Sequence, residues 1–311
     1  PETPDQGENT EPSAAEKAAP VGEVSETADS THKHYLCGGD TCNKVGHDEN
    51  TKTTFTAWTD TLAQTQYGNT NVKADTCLPQ LAGNYYLTKD VTLTSTWTCQ
   101  NDVNLCLNGH SIEFTASAAT NRPVISVTGG KTFTLTDCNG SKSSRKFKKD
   151  SAGRWVQAND GTIEVNGGAI FHQSGKSGPG VNVPENGTFT MYGGTICGNI
   201  NSYYCGGGVD VSGTFNMYGG KIAGNTAKLN GGGVSVGGKF TMSGGSITEN
   251  NAQSGSGGGV YVQNSRLRNT PSTFEMKGGN ISKNTASQNG GGVCVDKQYS
   301  SFKVADNVTI T

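Results

Sequence analysis

The C-terminal half of this 311-residue sequence repeats one phrase four times, an Ile-x-x-Asn element followed by Gly-Gly-Gly-Val. The copies begin at Ile196, Ile222, Ile247 and Ile281, with a period mostly in the mid-twenties. A repeat of this length with alternating apolar residues is typical of a supersecondary unit that stacks on copies of itself. The sequence therefore predicts a solenoid.

Each copy also carries two apolar residues spaced two apart and followed by two glycines. They are Phe189 and Met191, Phe215 and Met217, Phe240 and Met242, and Phe274 and Met276. Period-two spacing indicates a strand with one buried face, and Gly-Gly permits a sharp corner. No segment shows a helical period of useful length. We therefore predict an all-β fold, a parallel β-helix of about eight to nine coils.

The same alternating pattern continues on both sides of the four repeats, with less regular residue types. Upstream we expect rungs at Ile163 and Val165, then at Phe133 and Leu135, then at Leu105 and Leu107; downstream we expect one at Phe302 and Val304. The predicted organisation is a disordered spacer over 1–31, an N-terminal cap over 32–84 and the β-helix over 85–311. Because the last residues form a strand-like phrase, we expect the solenoid to continue past Thr311.

Composition narrows the function classes. The net charge of −2 provides no basic footprint for nucleic acid or an anionic membrane, and no apolar run approaches the length of a membrane span. Nine cysteines in an Asn- and Thr-rich chain indicate an oxidising, extracellular setting. Cys197 and Cys205 flank one corner and form the predicted disulfide. Cys77, Cys99, Cys106 and Cys138 could form two more bridges, and Cys106 and Cys138 sit near matching positions of adjacent coils.

Two phrases carry a family resemblance. Ile222 to Ala227 with the following Gly-Gly-Gly-Val resembles the repeats of the chlamydial polymorphic outer-membrane proteins. Together with the stretch Leu105 to His110, it is more similar to the pectate-lyase-like β-helix regions of surface proteins from Gram-positive gut bacteria. The resemblance covers about residues 32–311. It implies a right-handed β-helix, secretion or cell-wall attachment, and an adhesin role rather than a defined activity.

The start of the cap has the residue types of a small zinc site. His34, Cys37, Cys42 and His47 are spaced so that imidazoles and thiolates can converge on one tetrahedral ion of structural type. The alternative is a Cys37–Cys42 disulfide across the intervening turn, with the histidines exposed. No other cofactor is expected.

Residues in register are expected to form ladders. Asn199, Asn225, Asn250 and Asn284 occupy one position per coil, which predicts a buried ladder that satisfies backbone groups. Outward positions place Tyr192 beside Tyr218, flanked by Thr190 and Asn216, with Tyr203 and Tyr204 in the next corner. We interpret these six residues as a candidate surface for a sugar ring or a protein partner. The alternative is that the tyrosines merely stabilise adjacent strands.

Lyases and hydrolases on this fold need clustered carboxylates on adjacent coils, and the sequence places Asp210, Glu164 and Glu275 far apart in their predicted ladders. We therefore expect a monomeric, non-enzymatic, exported surface protein that binds a host glycan or glycoprotein, immunoglobulin included. A polysaccharide lyase or glycoside hydrolase and a passive structural stalk remain the alternatives.

Overall fold

The protein is described by a computed structural model at residues 32–34, 36, 52–116, 121–138, 143–264, 271–296, 299–306 and 308–311. These residues are almost entirely β-structure, and most strands belong to four sheets with parallel pairing only. Sheet 1 contains β3 (Thr56–Trp58), β4 (Gly83–Leu87), β7 (Val103–Cys106), β10 (Thr132–Thr136), β16 (Thr188–Met191), β20 (Thr214–Met217), β24 (Lys239–Met242), β28 (Ser272–Met276) and β32 (Ser300–Val304). Sheet 2 contains β5 (Val91–Leu93), β8 (Ser111–Phe114), β14 (Ala169–His172), β17 (Thr195–Cys197), β21 (Lys221–Ala223), β25 (Ser246–Thr248), β29 (Asn280–Ser282) and β33 (Thr309–Ile310).

The other two parallel sheets are narrower. Sheet 3 contains β18 (Ile200–Asn201), β22 (Thr226–Ala227), β26 (Asn251–Ala252) and β30 (Thr285–Ala286). Sheet 4 contains β6 (Trp97–Cys99), β9 (Ile125–Val127), β15 (Val181–Val183), β19 (Val209–Val211), β23 (Val234–Val236), β27 (Val260–Val262) and β31 (Val293–Val295). The chain visits the sheets in turn, as β16 to β19 do, and then returns to sheet 1. This order is that of a β-solenoid, as the repeat predicted.

The register of sheet 1 follows from its apolar pairs. Phe189 pairs with Phe215 and Phe215 with Phe240, so identical side chains lie one above the other. Their ring centroids are 4.9 and 4.7 Å apart, and all three rings are fully buried. A one-residue slip would turn each phenylalanine to the solvent, so the buried aromatic stack fixes the register. The alternating sequence therefore predicted these rungs correctly.

The rung expected at Ile163 and Val165 was wrong, and the rung expected at Leu105 and Leu107 lies two residues earlier, at Val103 and Leu105. Phe133 pairs directly with Phe189, and the intervening chain holds an antiparallel sheet of β11 (Ser144–Lys149), β12 (Trp155–Gln157) and β13 (Ile163–Asn166). Val165 packs with Phe147 and Trp155 in a separate apolar cluster. Apolar alternation indicates a half-buried strand but does not identify the sheet that the strand joins. Thr134, rather than Glu164, pairs with Thr190 on the outer face of sheet 1.

The region expected to form the cap contains both strand and helix. β1 (Lys33–His34) pairs antiparallel with β2 (Thr53–Thr54), and sheet 1 already begins at β3. Helix α1 (Asp60–Tyr67) was not predicted; the Thr59 side chain caps its start, and Gly68 ends it with φ of 61°. Eight residues give too few turns for a clear helical period. The spacer expected at 1–31 lies outside the described residues.

The asparagine ladder is present as predicted. Asn225 Nδ2 donates to Asn250 Oδ1 at 3.0 Å and to the Ile196 carbonyl at 2.9 Å. The same pattern joins Asn199 to Asn225 and Asn250 to Asn284. The Oδ1 atoms of Asn225, Asn250 and Asn284 also accept the backbone N–H of the preceding asparagine in the ladder. The ladder therefore satisfies buried backbone groups where the chain turns from sheet 2 to sheet 3.

Each position of the Gly-Gly-Gly corner requires glycine for its own structural reason. Gly231 has a φ of 68°, which L side chains rarely adopt. A Cβ on Gly232 would lie 2.5 Å from the backbone of Asn251, and one on Gly233 would lie 2.6 Å from the Gly259 carbonyl oxygen. The corner therefore brings adjacent rungs closer together than any side chain would permit.

Candidate functional site

Tyr192 and Tyr218 form a stacked pair at the outer edge of sheet 1. Their ring centroids are 5.0 Å apart and their planes differ by 12°. Each tyrosine directly follows a buried methionine, so strand alternation turns it outward. Thr190 and Asn216 pair with each other on the same outer face, two residues before the tyrosines. The structure therefore brings together four of the six residues predicted for a binding surface.

The environment of this tyrosine pair is asymmetric along the solenoid. Tyr218 is 39% exposed, and the equivalent residue in the next rung is the exposed Ser243. A serine is too small to cover an aromatic ring, so the face of Tyr218 on that side is accessible to a ligand. Glu275 and Lys277 continue the two outward ladders and form an ion pair at 3.3 Å. The stacked tyrosine pair is thus flanked by hydroxyl, amide and charged groups.

Tyr203 and Tyr204 do not share this surface. They lie in the corner between sheets 3 and 4, whereas Tyr192 lies in the corner between sheets 1 and 2. They are 60% and 65% exposed, and their ring centroids are 6.4 Å apart at a tilt of 46°. In the next rung, the Leu229 amide donates to the Tyr204 carbonyl, and Leu229 is also exposed. The predicted six-residue surface is therefore divided between two corners.

A polar pocket was not predicted; it lies beside the antiparallel sheet of β11 to β13, which we call the insertion. It has a volume of about 340 Å³ and is lined by Asp90, Glu113 and Arg145, among others. Arg145 is buried; its guanidinium donates to Asp90 at 2.6 Å and to the Gly167 carbonyl at 2.9 Å. The sequence shows a run rich in Lys and Arg between Lys142 and Asp150, but it does not show which carboxylates Arg145 would contact.

Two carboxyl groups in this pocket have shifted pKa values in opposite directions. Burial acts to raise the pKa of Asp90, but hydrogen bonds from His110 and Ser111 and the charge of Arg145 outweigh it and lower the pKa to about 2. Burial, and to a lesser extent the Asp90 charge, raises the pKa of Glu113. Arg145 and Asp90 are held by several hydrogen bonds each, which is typical of a structural anchor for the insertion.

The predicted Cys197–Cys205 disulfide is not formed. Ile196 points into the main core, so the adjacent Cys197 points the other way and packs against Phe147 and Trp155 of the insertion. Cys205 lies in the corner that follows β18, and both residues are thiols. Burial raises the pKa of each thiol, to about 12 for Cys197.

The predicted zinc ligands are mostly beyond what the structure describes. Cys37, Cys42 and His47 lie outside the described residues, and His34 belongs to β1 without a described side chain. A different set converges instead: His32 Nε2, Cys106 Sγ and Cys138 Sγ lie 3.4 Å from one another in all three pairs. A disulfide requires about 2.05 Å between sulfurs, so Cys106 and Cys138 are not bridged.

No protein-family model matches this chain, and no curated protein or solved structure matches it either. Among the described residues, no helix combines the length and apolar character that a bilayer crossing requires.

Proposed function

We propose that this chain is a right-handed, pectate-lyase-like β-helix of an exported bacterial surface protein that binds a host ligand without catalysing a reaction. The ligand is a mucosal glycan or a glycoprotein, immunoglobulin included. The observation that carries the proposal is the stacked pair of Tyr192 and Tyr218, with the ring of Tyr218 partly exposed. Aromatic rings beside hydroxyl and amide groups are the usual elements of sugar and protein recognition.

The scaffold supports this role because it fixes the position of the aromatic pair before a ligand arrives. Met191 and Met217, which directly precede the tyrosines, are fully buried, and the strands that carry them are joined in register. A ligand therefore does not have to order this backbone, and the entropic cost of binding is reduced. The polar N-terminal segment, rich in Pro, Glu, Ala, Ser and Thr, supports export.

Binding to a glycan array and to mucosal secretions tests this proposal. We expect Tyr192→Ala/Tyr218→Ala to lose at least about tenfold in affinity. Tyr203→Ala/Tyr204→Ala is the matched control, because it removes two exposed tyrosines from a different corner. Equal binding by the wild type and the Tyr192→Ala/Tyr218→Ala variant would show that the tyrosine pair does not bind the ligand. No binding by any form would favour a passive stalk.

A polysaccharide lyase or hydrolase is the second candidate, and the Asp90–Glu113–Arg145 pocket is the observation in its favour. Glu113 has a raised pKa, as a general acid would need. Release of unsaturated or reducing ends from uronic-acid polymers, abolished by Glu113→Gln, would establish catalysis and contradict the binding-only proposal.

A further inference from the structure

We propose that His32, Cys106 and Cys138 bind one structural zinc ion. The cluster joins distant parts of the chain, since His32 and Cys106 are separated by 74 residues and Cys106 and Cys138 by 32. Cys106 ends β7 and is fully buried, and Cys138 follows β10 in the neighbouring rung. This inference is independent of the proposed host binding.

The spacing of the three donor atoms fits a tetrahedral ion. Zinc bonds of about 2.3 Å to sulfur and about 2.0–2.1 Å to nitrogen place neighbouring ligand atoms about 3.6–3.8 Å apart. The three observed separations are each 3.4 Å, so an expansion of a few tenths of an ångström admits the ion. Three protein ligands are in place, and water or a further ligand completes the tetrahedron.

The surroundings hold the ligands in orientation. The His32 ring stacks on Tyr86 with centroids 4.1 Å apart, and the His32 carbonyl accepts the Phe55 amide at 2.7 Å. The backbone N–H of Asn108, a residue with φ of 50°, donates to Cys106 Sγ at 3.3 Å. Hydrogen bonds of this kind stabilise a thiolate and orient metal ligands.

The net charge of a zinc complex with these three ligands is compatible with a buried site. On binding, Zn²⁺ displaces both thiol protons to the buffer and forms two zinc–thiolate bonds. Two thiolates, a neutral imidazole and Zn²⁺ sum to zero charge, which suits a buried site. The ion would fasten the segment at His32 to sheet 1.

The zinc content of the purified protein tests the proposed site directly. The full chain is reduced, loaded with zinc chloride, desalted and analysed by elemental mass spectrometry. We expect about one zinc ion per chain in the wild type and in the control Cys294→Ser. Cys106→Ser and His32→Ala should each weaken binding more than about 100-fold. Unchanged zinc content in both variants would overturn the proposal.

Thiol protection gives a second test that needs no variant and is unaffected by misfolding. Zinc should slow alkylation of Cys138, chelation should restore it, and the partly exposed Cys294 should react equally in both states. Equal modification of Cys138 with and without zinc would contradict the site. A linked Cys106–Cys138 peptide, combined with no zinc uptake after reduction, would assign the pair to a disulfide instead.

Discussion

His172 Nδ1 lies 2.8 Å from Asn199 Oδ1, so a histidine stands at one end of the buried asparagine ladder. Its Nε2 lies 2.9 Å from the Arg122 carbonyl oxygen. Both partners are acceptors, and a neutral imidazole has a single N–H to donate. The asparagine repeat did not predict that His172 would be part of this ladder.

The burial of His172 predicts a loss of stability on mild acidification. Burial lowers the pKa of His172 from 6.5, although the Asn199 and Arg122 oxygens beside its two ring nitrogens favour the protonated form and oppose the shift. Below pH 6.5 the unfolded chain takes up a proton before the folded chain does. The contribution is therefore complete above that pH and is lost as the pH falls, by at most about 1.4 kcal/mol per pH unit.

Urea unfolding between about pH 7.5 and pH 5 measures this effect. His172→Gln retains an amide donor but does not titrate, so we expect its stability to change less over that range. The same pH slope in the wild type and the variant would show that another group is responsible.

Removal of a single side-chain amide from the interior of the asparagine ladder should strongly reduce the free energy of unfolding. Asn225→Ala removes the acceptor for the Asn199 amide and the donor to the Ile196 carbonyl. Buried groups left unpaired cost about 1–3 kcal/mol each, so we expect a loss of about 3 kcal/mol in the free energy of unfolding. Asn216→Ala on the outer face is the matched control, with a change within about 0.5 kcal/mol. Equal losses would contradict the role of the ladder.

Glycine substitutions should separate steric from conformational cost. Gly233→Ala would place a Cβ 2.6 Å from the Gly259 oxygen, and we expect a loss of about 3 kcal/mol or more. Gly130 has a φ of 76° but nothing within 4 Å of an added Cβ, so Gly130→Ala should cost only about 1–2 kcal/mol. Thermal unfolding of both variants makes the comparison, and a reversed order would mean that neighbouring rungs can move apart.

Arg145 should hold the insertion to the coils. Arg145→Gln loses the contact with Asp90, and with it we expect the β11–β13 sheet to detach locally at a cost of about 2 kcal/mol. Limited proteolysis within 139–168 and a red-shifted Trp155 emission would report this opening. Lys148→Gln, which removes an exposed ion pair with Asp160, is the control and should change neither signal. Unaltered proteolysis in Arg145→Gln would exclude the anchor.

Tyr192 and Tyr218 should couple energetically if their stacking stabilises the strands. A double-mutant cycle is expected to give about 0.5–1 kcal/mol for this pair. The tilted pair Tyr203 and Tyr204 should give a value near zero. A coupling near zero at both pairs would leave ligand recognition as the better explanation for the stacked geometry.

Sequence information predicted the fold where identical residues stack and failed where they do not. The Phe189 and Phe215 rungs were predictable because a slip would expose every ring. Ile163 was misassigned because alternation is equally satisfied by an antiparallel sheet. The His32–Cys106–Cys138 cluster was missed because its ligands come from separate segments and have no common spacing. The six residues of the predicted tyrosine surface lie at two different corners, since the period of the repeat places residues in a ladder but does not show which corners adjoin.

The direct pairing of Phe133 with Phe189 has a wider meaning for how such a rod can diversify. The chain between these two residues is longer than a regular coil by more than one coil's length, yet the rungs on either side stay in register. New modules can therefore be added at a corner at little cost to the shaft, since closing a longer loop adds only slowly to the entropy lost. Evolution or protein engineering could therefore change the modules inserted at a corner without altering the stacked coils of the solenoid.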